Sequence, residues 1–192
     1  MSQFRVAPWP TSLKVVSALG TAVLVGVGYA AFEQVPHGTR APFAESFGIL
    51  VALVFPAILI GAALSVVTRY DLDGHTLRVQ RLLWATTVPL TGLGQAFHDP
   101  CAMKGSLRLF GNGGLYSITG LYQNKLLGRF RAFVTDPRRA VALVLPGRTV
   151  VISPADPAAF LERLRAEFPA LREPTPAPSP ERSVSLCGRP RP

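Results

Sequence analysis

The sequence predicts a membrane-anchored α+β protein, with two apolar helices followed by a β-rich domain that ends in a single helix. Three observations lead to this fold class. Two uncharged apolar stretches come first, short alternating segments separated by turn residues follow, and one amphipathic stretch closes the domain. The predicted divisions are a cytoplasmic amino-terminal tail at 1–14, a transmembrane helical hairpin at 15–67, a folded domain at 68–172 and a disordered proline-rich tail at 173–192.

The two apolar stretches occupy residues 15–32 and 47–67, and Asp, Glu, Lys, Arg and His interrupt neither. About 18–20 apolar residues in a helix span the roughly 30 Å hydrocarbon core of a bilayer. One alternative is a cleaved signal peptide, although its apolar run is usually shorter than the first stretch. Another is a pair of helices buried in a soluble core, but two helices that are apolar on all sides are too large for the core of a chain of this size. We therefore expect a multi-pass protein of the cell (plasma) membrane with a loop at 33–46.

The flanking charges predict the orientation of the hairpin. Arg5 and Lys14 precede the first stretch, and Arg69, Arg78 and Arg81 follow the second, whereas the loop is not enriched in basic residues. Because basic residues are retained in the cytoplasm, the loop is expected outside and both termini inside.

Small residues recur at every fourth position of both stretches and predict close packing of the two helices. They are Ala18, Ala22, Gly26 and Ala30 in the first stretch, and Ala57, Gly61 and Ser65 in the second. Pro56 is expected to bend the second helix. No ionisable residue lies at the middle of either stretch, so transport by this hairpin alone is not expected.

From residue 68 the pattern changes to short strands with turn signals, including Asp73-Gly74 and Pro146-Gly147. Asp156 is predicted to cap a final helix, with Pro157 in its first turn. The apolar stripe of this helix is Phe160, Leu161, Leu164 and Phe168. The predicted strands lie at 69–72, 76–81, 86–90, 106–110, 115–122, 128–134, 140–145 and 149–152.

Four segments carry a resemblance to a known family, and they lie at 70–81, 110–115, 128–136 and 151–157. Over residues 15–168 the chain resembles the bacterial pleckstrin-homology (PH) domain membrane proteins, in which a transmembrane hairpin precedes a PH-like barrel. The resemblance implies a PH-like antiparallel β-barrel of about seven strands, capped by a carboxy-terminal α-helix. Eukaryotic PH domains often bind phosphoinositides through a basic loop between their first two strands. Here that loop is the short, acidic Asp73-Gly74-His75.

The sequence offers no catalytic, cofactor-binding or metal-binding constellation, so no catalytic residue, cofactor or metal is predicted. His37, His75 and His98 lack a second ligand at metal-binding spacing. Cys101 has no adjacent histidine motif that would indicate a nucleophile. Cys101 and Cys187 lie far apart in the chain and are interpreted as free thiols in a reducing compartment.

The domain is basic, with 14 Lys and Arg against 7 Asp and Glu in residues 68–172. Near an anionic leaflet each such charge contributes about 1 kcal/mol of attraction. Arg129 and Arg131 alternate with apolar residues and are expected on one face of a strand. An ordinary solvated strand face is the alternative interpretation. The candidate lipid or partner surface is Lys104, Arg108, Lys125, Arg129, Arg131, Arg138 and Arg139.

These observations predict a non-catalytic binding module at the cytoplasmic face of the membrane, with an interaction or regulatory role. The expected partners are the lipid bilayer, anionic lipid head groups, and a protein partner or a second copy of the chain; nucleic acid is not expected. One alternative is an accessory subunit of a larger transport or envelope complex that acts through its hairpin. A small membrane enzyme is the remaining alternative.

Overall fold

The computed structural model describes residues 2–33, 42–169 and 171, and contains three α-helices. They are α1 (Thr11–Glu33), α2 (Pro42–Leu64) and α3 (Pro157–Glu167). Both α1 and α2 therefore begin earlier than the sequence predicts, and the expected end of the second stretch, at Val67, forms the start of a strand instead. The centre of the predicted external loop and the proline-rich tail lie outside the described residues.

Ten strands are described, and they form two sheets. The four-stranded sheet has the order β1-β2-β3-β4, and the six-stranded sheet has the order β5-β9-β10-β8-β7-β6. All neighbouring strands are antiparallel except β8 and β10, which are parallel. The strands are β1 (Ser2–Arg5), β2 (Val67–Asp73), β3 (Thr76–Arg81), β4 (Ala85–Pro89), β5 (Gln95–His98), β6 (Leu107–Gly113), β7 (Ile118–Asn124), β8 (Gly128–Val134), β9 (Val141–Leu145) and β10 (Arg148–Ile152).

The sequence predicts about seven strands in one barrel, whereas the structure describes ten strands in two sheets. The prediction missed β1 and β5, which are only four residues long. A strand of this length shows too little alternation to be recognised, and only its pairing with distant strands makes it extended. The fold is thus a PH-like pair of antiparallel and mixed sheets with a carboxy-terminal helix.

The main core lies between the two sheets and beneath α3. Tyr70 and Leu77 enter it from the four-stranded sheet, Phe133 and Leu143 from the six-stranded sheet, and Phe160 from α3. The predicted helix start is confirmed, because the Asp156 carboxylate accepts a 3.0 Å hydrogen bond from the Ala159 amide. The helix therefore closes the open end of the core, as its apolar stripe predicts.

The first strand, β1, joins the amino terminus to the domain, although α1 and α2 separate it from the domain along the chain. Within the four-stranded sheet, β1 pairs with β2, and Arg5 lies opposite Arg69. Next to β1, the Ala7 amide donates a 2.9 Å hydrogen bond to the Ser153 carbonyl, and the Phe4 ring lies edge-on to Phe160 at 5.0 Å. The segment assigned from sequence to a tail is consequently an edge strand of the domain.

In the described part of the chain one helix, α1, is long and apolar enough to cross a membrane. Its side chains at Leu19 and Val23 are exposed, as lipid-facing residues would be. The α2 helix packs against α1, and a Cβ added at Gly28 would lie 3.3 Å from the Phe55 Cβ. At Gly26 an added Cβ would meet no described atom within 4 Å. Among the described residues the close contact between the two helices is thus at Gly28 rather than at Gly26.

Candidate functional site

A cleft of about 1000 Å³ lies between the last turns of α2 and one face of the six-stranded sheet. The helix presents small and apolar side chains to it, namely Ile58, Gly61, Ala62 and Ser65. The sheet contributes Phe110, Thr119, Leu121 and Phe133 together with basic residues. One wall is thus an apolar helix and the other is a basic sheet face.

Three arginines, Arg81, Arg108 and Arg131, line this cleft, and none of its lining residues is acidic. Among the described residues, none of the three guanidinium groups makes a hydrogen bond or an ion pair. The Nε of Arg81 is buried, so water does not satisfy it either. The cleft therefore concentrates positive charge with no internal counter-charge.

The ring of Phe133 holds two of these arginines in place. The Cζ of Arg81 lies 5.3 Å from the ring centroid, and the Cζ of Arg131 lies 5.6 Å from it. The indole of Trp84 also contacts Arg81, at 5.5 Å. Such contacts orient a guanidinium by its face and leave its N–H edge available to an anion.

Burial, and secondarily the positive charge of Arg131, lowers the pKa of Arg81. Both causes disfavour the charged form, and the attraction of a nearby anion would offset both. The electrostatics of the cleft therefore favour a negatively charged occupant.

The turn after β3 places apolar residues beside the cleft. Leu82 and Leu83 are 63% and 72% exposed, and Trp84 is 43% exposed. The Arg81 amide closes this turn through a 2.9 Å hydrogen bond to the Trp84 carbonyl. Since Arg81 pairs with Val67, which follows α2 closely, the turn lies near the point where α2 meets the domain.

Contacts from the β6–β7 hairpin attach the six-stranded sheet to α1 and to the segment that follows α2. The Ser17 hydroxyl accepts a 2.9 Å hydrogen bond from the Tyr116 amide, and the Tyr116 ring stacks on Trp9 at 6.1 Å. The side-chain amide of Asn112 donates a 3.4 Å hydrogen bond to the Ser65 hydroxyl of the segment after α2. These contacts fix the position of the cleft walls relative to each other.

The structure divides the seven predicted surface residues into three groups. Arg108 and Arg131 line the cleft. Arg129 shares the exposed face of β8 with Arg131, as predicted. The other four lie elsewhere: Lys104 and Lys125 are in two turns joined by Asn124, and Arg138 and Arg139 are in a 3-10 helix. Arg139 is also engaged with the Ala155 carbonyl. The functional role of this surface stays a prediction.

Sequence reasoning missed Arg81, because it was interpreted only as a flanking charge that sets membrane orientation. The available signal was an arginine at a strand end followed directly by Leu82, Leu83 and Trp84. A basic residue beside an exposed apolar turn is typical of a membrane-interface segment.

The other chemistry-bearing residues are dispersed. The ring of His75 packs edge-on to Phe168 at 5.0 Å, and the His98 Nε2 lies 3.1 Å from the Arg138 carbonyl. The residues described contain no group of three or more His, Cys, Asp or Glu that could hold a metal ion. Cys101 is disulfide-bonded, so the expectation that Cys101 is a free thiol is wrong. Cys187 lies outside the described residues.

Two packed antiparallel and mixed sheets with a closing carboxy-terminal helix define a PH-like domain. A family model for the bacterial PH domain matches residues 68–167, which confirms the resemblance inferred from the sequence. The chain belongs to the bacterial PH-domain family. The match begins after α1 and α2, so β1 lies outside it. No curated protein and no solved structure matches the chain.

Proposed function

We propose that this protein crosses the cell membrane twice and presents its PH-like domain as a non-catalytic binding module at the cytoplasmic face. The pairing of β1 with β2 carries the proposal. One strand precedes both helices and the other follows them, yet the two are neighbours in one sheet.

Strands that share hydrogen bonds must lie on the same side of a bilayer, because the hydrocarbon core does not admit open sheet edges. The segment between β1 and β2 therefore begins and ends on the same side of the bilayer, so it crosses the bilayer an even number of times. Since α1 is long and apolar enough for one crossing, α2 is the element that returns. Its 23 residues correspond to about 34 Å of helix, which suffices for a bilayer core.

The same strand argues against removal of the first apolar stretch as a signal peptide. Cleavage after α1 would detach β1, and with it the Phe4 ring that packs on Phe160. The edge of the four-stranded sheet would then be left open.

Two observations bear on which side the domain occupies. Lys14 in the first turns of α1 and Arg69 after α2 favour a cytoplasmic domain. The disulfide-bonded state of Cys101 favours the opposite side, because disulfides are rare in the cytoplasm. We give more weight to the basic flanks, since they act on the helices during insertion.

The binding role rests on the cleft, whose unpaired arginines and apolar rim suit recognition rather than bond chemistry. Among the described residues no pair of a nucleophile and a general base lines it. We infer that anionic lipid head groups or a protein partner occupy this surface.

Reporter fusions after the domain test the topology. A carboxy-terminal fusion to a protein that fluoresces only in the cytoplasm should fluoresce, and a fusion to a phosphatase active only outside should be inactive. A matched variant without residues 42–64 has one crossing and should reverse both results. An active phosphatase on the intact chain would contradict the cytoplasmic placement, and extraction by alkaline carbonate would contradict membrane integration.

A further inference from the structure

We propose that the cleft between α2 and the six-stranded sheet binds the phosphate of an anionic glycerophospholipid, with Arg81 and Arg131 as its ligands. The inference rests on the proposed membrane anchoring and adds a ligand class, a site and a residue that sequence reasoning missed. The acyl chains would lie along α2 and the exposed turn at Leu82 and Leu83.

The charge of the cleft points to an anion. Arg81 and Arg131 approach the same Phe133 ring, and repulsion between them is not offset by any carboxylate lining the cleft. An anion between them would relieve this repulsion and give the buried Nε of Arg81 an acceptor. Guanidinium groups bind phosphate through paired N–H donors, which matches this arrangement.

The position and the apolar rim point to a lipid rather than to a soluble anion. Ile58, Gly61 and Ala62 of the proposed second membrane helix form one wall of the cleft. On the opposite wall Phe110 is 80% exposed, which is costly in water but favourable against acyl chains. A lipid at a bilayer surface has its phosphate next to its acyl chains, and the cleft likewise has arginines next to an apolar rim.

Arg108 extends the same positive surface towards α1. It also lines a second cleft, between α1 and the β6–β7 loop, together with Val16, Leu19 and Val23. Its side chain thus lies between two apolar grooves that open on the membrane helices. We expect Arg108 to contribute general attraction, and Arg81 and Arg131 to hold the phosphate.

Binding of short-chain phosphatidylglycerol to the full chain in neutral detergent tests the proposal. The wild type should bind it saturably, with an affinity that falls as salt is added. Arg131→Gln and Arg81→Gln should each weaken binding about tenfold, as expected for loss of one charge-assisted contact. Matched controls are Arg129→Gln on the same strand as Arg131 and Arg78→Gln on the same strand as Arg81, because neither lines the cleft.

A change of shape separates the cleft from surface charge in general. An added Cβ at Gly61 would meet no described atom within 4 Å, so Gly61→Leu extends into the cleft without altering charge. This variant should bind the lipid weakly while its thermal unfolding midpoint stays close to that of the wild type. If Arg81→Gln fails to fold, the exposed Arg131 and Gly61 variants still decide the outcome.

Several outcomes would overturn the proposal. Unchanged lipid affinity in Arg131→Gln and Gly61→Leu would exclude the cleft as the binding site. Equal losses of affinity in the Arg129 and Arg78 controls would indicate unspecific charge attraction. Inorganic phosphate binding as tightly as the lipid would identify a soluble anion as the source. Because this titration is carried out in detergent, its failure leaves the topology result untouched, and a reversed topology leaves the titration intact.

Discussion

The hydroxyl groups of Thr21 on α1 and Tyr116 in the β6–β7 loop lie 2.7 Å apart and form a hydrogen bond. Thr21 also donates to the carbonyl of Ser17, one turn earlier on α1. Tyr116 adopts a positive φ of 66°, a conformation that a non-glycine residue holds only where surrounding contacts support it. The domain is thereby attached to α1 through side chains as well as through the backbone.

Removing either hydroxyl should weaken this attachment. Thr21→Val and Tyr116→Phe are each expected to lower the free energy of unfolding by about 1 kcal/mol, because a part-buried hydrogen bond is lost. A double-mutant cycle measured by thermal unfolding in micelles should give a coupling of about 0.5–1.5 kcal/mol. Thr87→Val, at an exposed position on β4, serves as the control and should be neutral. Strict additivity of the two changes would contradict the contact.

Tyr70 predicts a specific loss of stability at high pH. Its hydroxyl donates a 2.5 Å hydrogen bond to the Phe133 carbonyl and accepts a 3.1 Å bond from the Ser153 amide. Burial raises the pKa of Tyr70 to about 12. Above the ordinary value of 10.0 the unfolded chain loses this proton while the folded chain retains it, so stability falls as pH rises towards 12.

The expected loss from this residue across that range is about 2–3 kcal/mol. Tyr70→Phe should be less stable than the wild type at neutral pH, since two buried backbone groups lose their partner. Its stability should also decline less between pH 10 and 12, as measured by chemical denaturation at each pH. Parallel pH profiles for the two proteins would contradict this assignment.

A pair of facing glycines allows β6 and β7 to approach closely. Gly111 lies opposite Gly120, and Gly120 has a φ of 143°. A Cβ at Gly120 would lie 2.1 Å from the Phe110 carbonyl oxygen, which no rotamer change relieves. Gly120→Ala is therefore expected to cost about 3 kcal/mol or more, or to prevent folding.

The matched control for this glycine pair is Gly61→Ala. Gly61 lies inside α2, and an added Cβ there would meet no described atom within 4 Å. Alanine should thus be tolerated at Gly61 or be slightly stabilising in the helix. Equal yields of folded protein for the two variants, compared by limited proteolysis, would contradict the close approach of β6 and β7.

Gly28 and Gly26, both in α1, differ in the space available for a side chain. Gly28→Leu introduces a side chain where the Phe55 Cβ leaves only 3.3 Å for an added Cβ, whereas Gly26 has open space among the described residues. We expect Gly28→Leu to separate α1 from α2 and to lower the unfolding midpoint in micelles. Gly26→Leu should leave it near the wild-type value. The reverse order of the two effects would contradict the described packing.

The sequence predicts the PH-like domain well because its signals are local. Asp156 and Pro157 mark the start of α3, and the alternation around Arg129 and Arg131 gives the face of β8. By contrast, β1 is recognisable only through its pairing with β2, on the far side of two helices. Local patterns contain no information about such a distant partner, so β1 was interpreted as a tail.

The candidate site was predictable only in part, for a related reason. Arg131 was recognised from its strand, but Arg81 meets it only because β3 and β8 belong to sheets that face each other across Phe133. Lys104 and Lys125 were predicted to share a surface with Arg131, yet their turns lie outside the cleft lining. Spacing along the chain identifies shared strand faces, whereas the packing of two sheets determines which charges converge.

The central claim is that β1 and β2, which precede and follow the two apolar helices, pair in one sheet, and an engineered disulfide between them tests it most directly. Arg5→Cys and Arg69→Cys lie directly opposite in the register, so oxidation of native membranes should join them at high yield. Arg5→Cys combined with Arg129→Cys, on the other sheet, should not crosslink. A crosslinked peptide pair containing positions 5 and 69 is the result that the structure predicts. Two reactive but unjoined cysteines at these positions would contradict the fold, the even number of crossings and the proposed placement of the domain.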